Sequence, residues 1–187
     1  MRLKNKTAII TGAANGIGAE IARTYAREGA CVVLADLDLV KAQAVAADIC
    51  QSGGNALAVA CDVAKKEAVQ SVVDTCVERF GTVDILVNNA GITLPACPVE
   101  DITPERWKNV LDIDLMGTIY GTQCVIPVMK QQRRGKIINM ASVAGQVGGV
   151  FTEATYPVSK AGVICWAKAV AKQVGEYNIT CNCIAPG

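Results

Sequence analysis

Thr11-Gly12-Ala13-Ala14-Asn15-Gly16-Ile17-Gly18 follows the apolar run Thr7-Ala8-Ile9-Ile10 and precedes a helical pattern from Ala19 to Glu28. It therefore reads as the turn between a strand and a helix. The glycine spacing is G-x-x-x-G-x-G, not G-x-G-x-x-G, but the physical demands match. The chain must turn tightly off a strand, let a pyrophosphate approach the backbone, and open a helix whose first amides face the anion. Gly12, Asn15, Gly16, Ile17 and Gly18 are accordingly candidate cofactor-binding residues; a turn without a ligand is the alternative.

The next apolar run, Cys31-Val32-Val33-Leu34-Ala35, ends in Asp36. An acid about 20 residues past such glycines accepts hydrogen bonds from the adenosine ribose hydroxyls and rejects a 2′-phosphate. No Arg or Lys follows directly, since Leu37 does, so NAD is expected over NADP; Asp36 is placed at the ribose and Leu37 is counted among the cofactor-binding residues. As a plain strand end, Asp36 would be a turn residue.

At the other end of the chain, Tyr156 and Lys160 in Tyr156-Pro157-Val158-Ser159-Lys160 stand one helical turn apart and share a helix face. A cation beside a phenol favours its ionised form, which suits a general acid/base. Ser142, upstream on a small-residue loop, would bind the same substrate oxygen and stabilise charge developing there. The ordinary alternative is an exposed aromatic and a solvated lysine at a helix start.

These pieces, with Asp62-Val63, Asn88-Asn89-Ala90-Gly91 and Pro186-Gly187, occur along nearly the whole chain. Together they resemble the short-chain dehydrogenase/reductase family. The resemblance implies a Rossmann fold, NAD(P)-linked interconversion of an alcohol and a carbonyl, and a homotetramer. By the same resemblance Asp62 and Val63 flank the adenine, and Asn89, Ala90 and Gly91 line the ribose and cofactor cleft. Tyr156 and Lys160 also contact the cofactor, Lys160 at the nicotinamide ribose, and Pro186 and Gly187 complete the cofactor set. Asp114, in Asp112-Ile113-Asp114-Leu115-Met116-Gly117, occupies the position where the family's catalytic tetrad has Asn. A carboxylate there can hold a relay water but cannot donate as an amide does. Asp62 could alternatively cap the helix beginning near Lys65, and Asn89-Ala90-Gly91 could be only a turn.

Strands are expected near Thr7–Ile10, Cys31–Ala35, Ala56–Ala60, Ile85–Asn88, Lys136–Met140 and Ile179–Ile184, with helices over Gly16–Glu28, Leu39–Ser52, Lys65–Phe80, Pro104–Gln132 and Tyr156–Glu176. Thr103-Pro104 marks the start of the fourth helix. Continuous apolar strands alternating with helices predict an α/β fold: a Rossmann-type doubly wound parallel sheet in order 3-2-1-4-5-6, helices on both faces, as one NAD(P)-binding domain over 1–187. Every motif then falls at the carboxyl ends of the strands. The family's usual C-terminal end, with its substrate-covering loop and final strand, is expected to be missing after Gly187.

A net charge of +1 gives no reason to expect nucleic acid or an anionic membrane surface. The absence of histidine excludes Ser-His-Asp hydrolysis and histidine-ligated zinc, and no metal site is expected. The nine cysteines read as reduced, mostly buried thiols; the nearest pair, Cys181 and Cys183, is read as pointing to opposite faces of a strand. With no signal-peptide pattern or long apolar span, a cytoplasmic protein is expected. The reading is an NAD-dependent alcohol dehydrogenase or ketone reductase acting on a small-molecule substrate. Two alternatives are an NAD-binding but catalytically impaired family member, and a Rossmann-type methyltransferase, which leaves Tyr156-x-x-x-Lys160 unexplained.

Overall fold

Runs rich in Val, Ile, Leu and Ala leave a strand no polar side to turn to water, so such strands are buried on both faces. In the computed structural model, which describes residues 1–149 and 151–187, each expected run is a strand of one parallel sheet. These are β1 (Thr7–Thr11), β2 (Cys31–Asp36), β3 (Asn55–Ala60), β4 (Ile85–Asn88), β5 (Gly135–Met140) and β6 (Ile179–Ile184). Their order is β3-β2-β1-β4-β5-β6, as expected.

Alternation along each strand divides the core between two layers. Ile9, Val33, Leu86 and Ile137 pack with side chains of α3 (Lys66–Phe80), α5 (Gly117–Gln132) and α7 (Thr155–Val174). Ala8, Ile10, Val32 and Leu34 point the other way, onto α1 (Gly16–Arg27) and α2 (Leu39–Gln51). Fully burying the Val, Leu and Ile side chains among these contributes about 1.5–3 kcal/mol each. At the amino ends of the strands the buried Asp84 carboxylate ties three of them together. It accepts from Thr7 N (3.1 Å) and Arg134 Nε (2.9 Å) and faces Lys6 Nζ at 3.5 Å.

The helix expected over Pro104–Gln132 needs correction in its middle. Thr103 Oγ1 accepts from Arg106 N (3.4 Å) and Pro104 starts α4 (Pro104–Val110), as the sequence signals. Leu111–Met116 then widens into a π turn before α5 begins. Such turns accommodate an extra residue and recur at functional sites; this one carries Asp114. A short α6 (Ala144–Val147) before α7 was not expected from the sequence.

The cysteines also depart from expectation. All nine are free thiols, but four are buried and two, Cys50 and Cys165, are exposed. Cys181 and Cys183 stand two apart on β6 and therefore share one face, because strand side chains alternate with period two; both pack with the α7 layer. No helix among the described residues is long and apolar enough to cross a membrane, and no His/Cys/Asp/Glu group among them could hold a metal ion.

The strand order reverses between β1 and β4. Open parallel sheets part at such a point, leaving a crevice at the carboxyl ends of the strands.

Candidate active site

The turn after β1 and the turn after β4 are locked together. Asn89 Nδ2 donates to the carbonyls of Thr11 (3.0 Å) and Gly12 (3.1 Å). Thr11 Oγ1 accepts from the amides of Asn89 (3.0 Å) and Ala90 (3.1 Å). The approach is too close for side chains: a Cβ on Gly12, whose φ is +64°, would lie 2.8 Å from Ala90 Cα, and one on Gly18 would lie 2.1 Å from Gly12 O. Gly18→Ala should therefore destabilise the chain by about 1–3 kcal/mol, the usual overpacking cost. Urea unfolding checks this, and an unchanged midpoint would contradict it.

Gly16 is different: its φ is +52° and the space where a Cβ would stand is open. It begins α1, which has no side-chain cap from Asn15 and no acid in its first turn. The positive end of the helix is thus left for an anion.

Beside it opens a cleft of about 410 Å³, lined by Gly12, Asn15, Ile17, Asp36, Leu37, Cys61, Asp62, Val63, Asn89, Ala90, Gly91, Ile92 and Ile113. Ten of these are residues the sequence singled out. Cys61, Ile92 and Ile113 are additions, and each adjoins a residue the sequence singled out: Asp62, Gly91 and Asp114. Burial pushes the Cys61 thiol up to about 11, with the Asp62 and Asp36 carboxylates adding to the effect, so it is not a reactive thiolate. None of the lining residues is Lys or Arg.

Asp36 Oδ2 accepts from Ala14 N (2.8 Å) and Oδ1 from Asp38 N (2.9 Å), so the acid also braces the glycine turn. A carboxylate offers about four lone-pair sites, and the remainder can serve a ribose diol. Leu37 is exposed. Asp62 does not cap α3, whose N-cap residue is Lys65; its carboxylate accepts from Ala64 N (3.1 Å) and pairs with Lys65 at 3.2 Å.

A second cluster adjoins the cleft. Lys160, 4% exposed, donates from Nζ to Met140 O (3.1 Å) and stands 3.6 Å from Asp114 Oδ2. Its Nζ is 5.5 Å from the centroid of the Tyr156 ring. Asp114 is fully buried; its Oδ1 accepts from Ile92 N (2.8 Å) and its Oδ2 from Ser159 Oγ (3.2 Å). Burial raises the Asp114 carboxyl above its ordinary range, although Lys160, the Ile92 amide and the Ser159 hydroxyl all pull it down. Ser142 Oγ accepts from Ala144 N (3.1 Å). Pro186 O accepts from Val143 N (2.9 Å), which places Pro186 and Gly187 beside Ser142, outside the set of residues lining the cleft.

Gly91 joins the two clusters. It lines the cleft, and a Cβ there would stand 3.1 Å from Lys160 Nζ and 3.3 Å from Asp114 Oδ1. A side chain at Gly91 would crowd that ion pair, and the glycine leaves the cleft open to it.

A reversed-order parallel sheet with a glycine turn at its switch point defines a Rossmann-type fold, and comparison with known proteins assigns the family. Residues 6–187 match the short chain dehydrogenase family, and the chain belongs to it. It is 44% identical to galactitol 2-dehydrogenase of Agrobacterium fabrum, over all of this chain and 72% of that enzyme. It is 37% identical to the 3-oxoacyl-(acyl-carrier-protein) reductase FabG of Thermotoga maritima, over all of this chain and 75% of that protein. Among solved structures, NAD+-bound xylitol dehydrogenase superimposes with a TM-score of 0.96 at 34% identity, covering all of this chain and 72% of that one.

Proposed function

We propose that the protein is an NAD-dependent oxidoreductase that interconverts an alcohol and a carbonyl compound, with Tyr156 as general acid/base. The observation that carries this reading is the junction at Gly91, where the cleft meets Lys160 and Asp114. A nucleotide-sized cleft and a buried, hydrogen-bonded lysine next to a tyrosine serve one reaction when they touch, and two unrelated purposes when they do not.

The residues fit NAD. The uncapped start of α1 suits a pyrophosphate, with Gly12, Asn15, Gly16, Ile17 and Gly18 around it. Asp36 suits a ribose diol, with Leu37 alongside; Asp62 and Val63 would flank the adenine, and Asn89, Ala90 and Gly91 the inner wall. When bound, NAD supplies the hydride acceptor. The remaining work belongs to the chain. Lys160, with three N–H donors, keeps one on Met140 O and turns another towards Asp114, leaving the third for the nicotinamide ribose. Tyr156 takes the proton of the substrate hydroxyl, or returns it to the carbonyl. Ser142, its oxygen oriented by the Ala144 amide, keeps its own proton to donate to the substrate oxygen. Asp114 steadies Lys160, and Pro186 and Gly187 lie beside Ser142 at the nicotinamide end.

NAD is favoured over NADP because Asp36 faces the cleft with no cationic lining residue to receive a 2′-phosphate. Lys41 and Lys65, on the chain nearby, are engaged with Asp38 (2.8 Å) and Asp62 (3.2 Å). Asp36→Ala should narrow the NAD/NADP ratio of kcat/KM by about 1–3 kcal/mol, the worth of a charged hydrogen-bonding partner. An unchanged ratio would move the determinant elsewhere.

The reading includes a homo-oligomer, with neither nucleic acid nor membrane as partner. Its test is a panel of alcohols and ketones with NAD(H) and NADP(H), followed by nicotinamide absorbance. Sugar alcohols come first, in view of the polyol dehydrogenases among the similar proteins, and 3-oxoacyl thioesters next. No turnover and no NAD binding would overturn it.

A further inference from the structure

Glu153 plays no part in the mechanism above, yet it is fully buried and its carboxylate gathers three donors. Arg106 Nε and Cys97 Sγ (3.5 Å) donate to Oε2, and Thr155 Oγ1 (2.8 Å) donates to Oε1. The backbone adds to the joint: Glu153 N donates to Leu94 O (3.1 Å), and Pro95 forms an antiparallel bridge with Thr152. Arg106 Nη2 also reaches Pro95 O (3.4 Å). On the other side, Glu153 O accepts from Tyr156 N (3.1 Å) in the first turn of α7. Three distant stretches of chain, 94–97, the start of α4 and 152–156, therefore meet on one side chain.

Glu153 is fully buried whereas the Arg106 side chain is 38% exposed, so the carboxylate is the charge that depends most on its partners. Here the carboxylate is well matched: burial alone would raise the Glu153 carboxyl, and the hydrogen bonds from Thr155, Arg106 and Cys97 together outweigh it, leaving it below its ordinary range. The joint also supplies what neighbouring sequence does not. The helix that carries Tyr156 has no side-chain cap, and residues 91–94 and 96–98 form no regular element. That segment leaves the cleft at Ile92, whose amide is held by Asp114, and its far end is held at Glu153.

We propose that Glu153 is a positioning residue for Tyr156: its carboxylate clamps the segment after β4 onto the first turn of α7, fixing the substrate-side wall beside the phenol. The proposal deepens the oxidoreductase reading and rests on it for its catalytic consequence. An amide in place of the carboxylate presents one oxygen and one NH₂ group, so either Thr155 or the Arg106–Cys97 pair must lose its acceptor.

The test compares the full chain with Glu153→Gln and with Glu153→Gln/Arg106→Gln, which also removes the uncompensated cation. Hydrogen exchange should quicken in Glu153→Gln at the amides of 92–98 and 152–156, and stay unchanged at 7–18. kcat/KM for the best alcohol should fall by about 10–100-fold, as small misplacements of reacting groups do, with the NAD dissociation constant unchanged. The double variant should recover thermal stability without recovering turnover. Recovery of both together would reduce Glu153 to a structural ion pair and overturn the proposal, as would exchange that is unchanged or that rises equally across the sheet. Retained kcat/KM with locally raised exchange would overturn it too. If the unaltered chain neither binds NAD nor turns over the panel, the oxidoreductase reading fails, while the exchange data still decide whether Glu153 clamps the segment.

Discussion

Tyr156→Phe should lose turnover by about 10²–10⁴-fold, the usual worth of a positioned proton donor or acceptor, while binding NAD as before. The ring remains, so its packing at the start of α7 and its position 5.5 Å from Lys160 Nζ are kept, and only the transferable proton disappears. None of the residues lining the large cleft is altered. Loss should therefore appear in kcat and kcat/KM alike, the signature of an interaction made in the transition state. Single-turnover nicotinamide absorbance measures the step directly. A variant with near-normal kcat would leave Tyr156 as a packing residue and return the proton-transfer role to Ser142 or to solvent.

The sheet was legible because its strands are local statements: each apolar run is four to six residues long and bounded by the residue types that turn chains. The glycine turn was legible for the same reason, and Gly12 and Gly18 prove to be demanded by contacts with Ala90 and the Gly12 carbonyl. Asn89 shows the boundary. Its place in the cleft wall follows from its position after β4, but the two carbonyls its amide grips belong to β1 and the turn that follows it, 77–78 residues away. The π turn at Leu111–Met116 lies further beyond local reach. No Pro or Gly stands within those six residues. The widened turn surrounds Asp114, whose side chain is held by Ile92 and faces Ser159 and Lys160, so its geometry is set by residues 22 or more positions away. Glu153 escaped notice entirely, since a glutamate in a loop before a helix reads as a solvated charge until Arg106 and Cys97 are seen beside it. Asp36 was read for a ligand, and what the structure shows is its carboxylate bracing Ala14.

Asp114 should separate two effects that the sequence merges, charge and hydrogen bonding. Replacing it with Leu removes the acceptor of the Ile92 amide, leaves the Ser159 hydroxyl with Tyr156 O (2.8 Å) alone, and leaves Lys160, 4% exposed, with Met140 O as its named partner. Breaking a buried pair in this way costs about 3–5 kcal/mol, and urea unfolding should show it. Asp114→Leu/Lys160→Met should recover much of that loss, because no unpaired charge remains; a double variant as unstable as the single one would point to a cavity instead. Asp114→Asn keeps an acceptor oxygen and the shape, so its cost should be far smaller, and its effect should depend on pH. The Asp114 carboxyl, raised by burial above its ordinary 3.8, binds its proton more tightly folded than unfolded. Folding then takes up a proton between those two values, so this group's contribution to stability declines as pH rises through that window and stays at the lower level above it. An amide cannot titrate. The stability of the unaltered chain minus that of Asp114→Asn should accordingly fall with rising pH from near 3.8 up to the raised value and then level off. A difference that is flat from the acid range to neutrality, or that grows, would mean that Lys160 and the Ile92 and Ser159 hydrogen bonds outweigh burial, and that Asp114 is held as a carboxylate at least as firmly in the fold as in water.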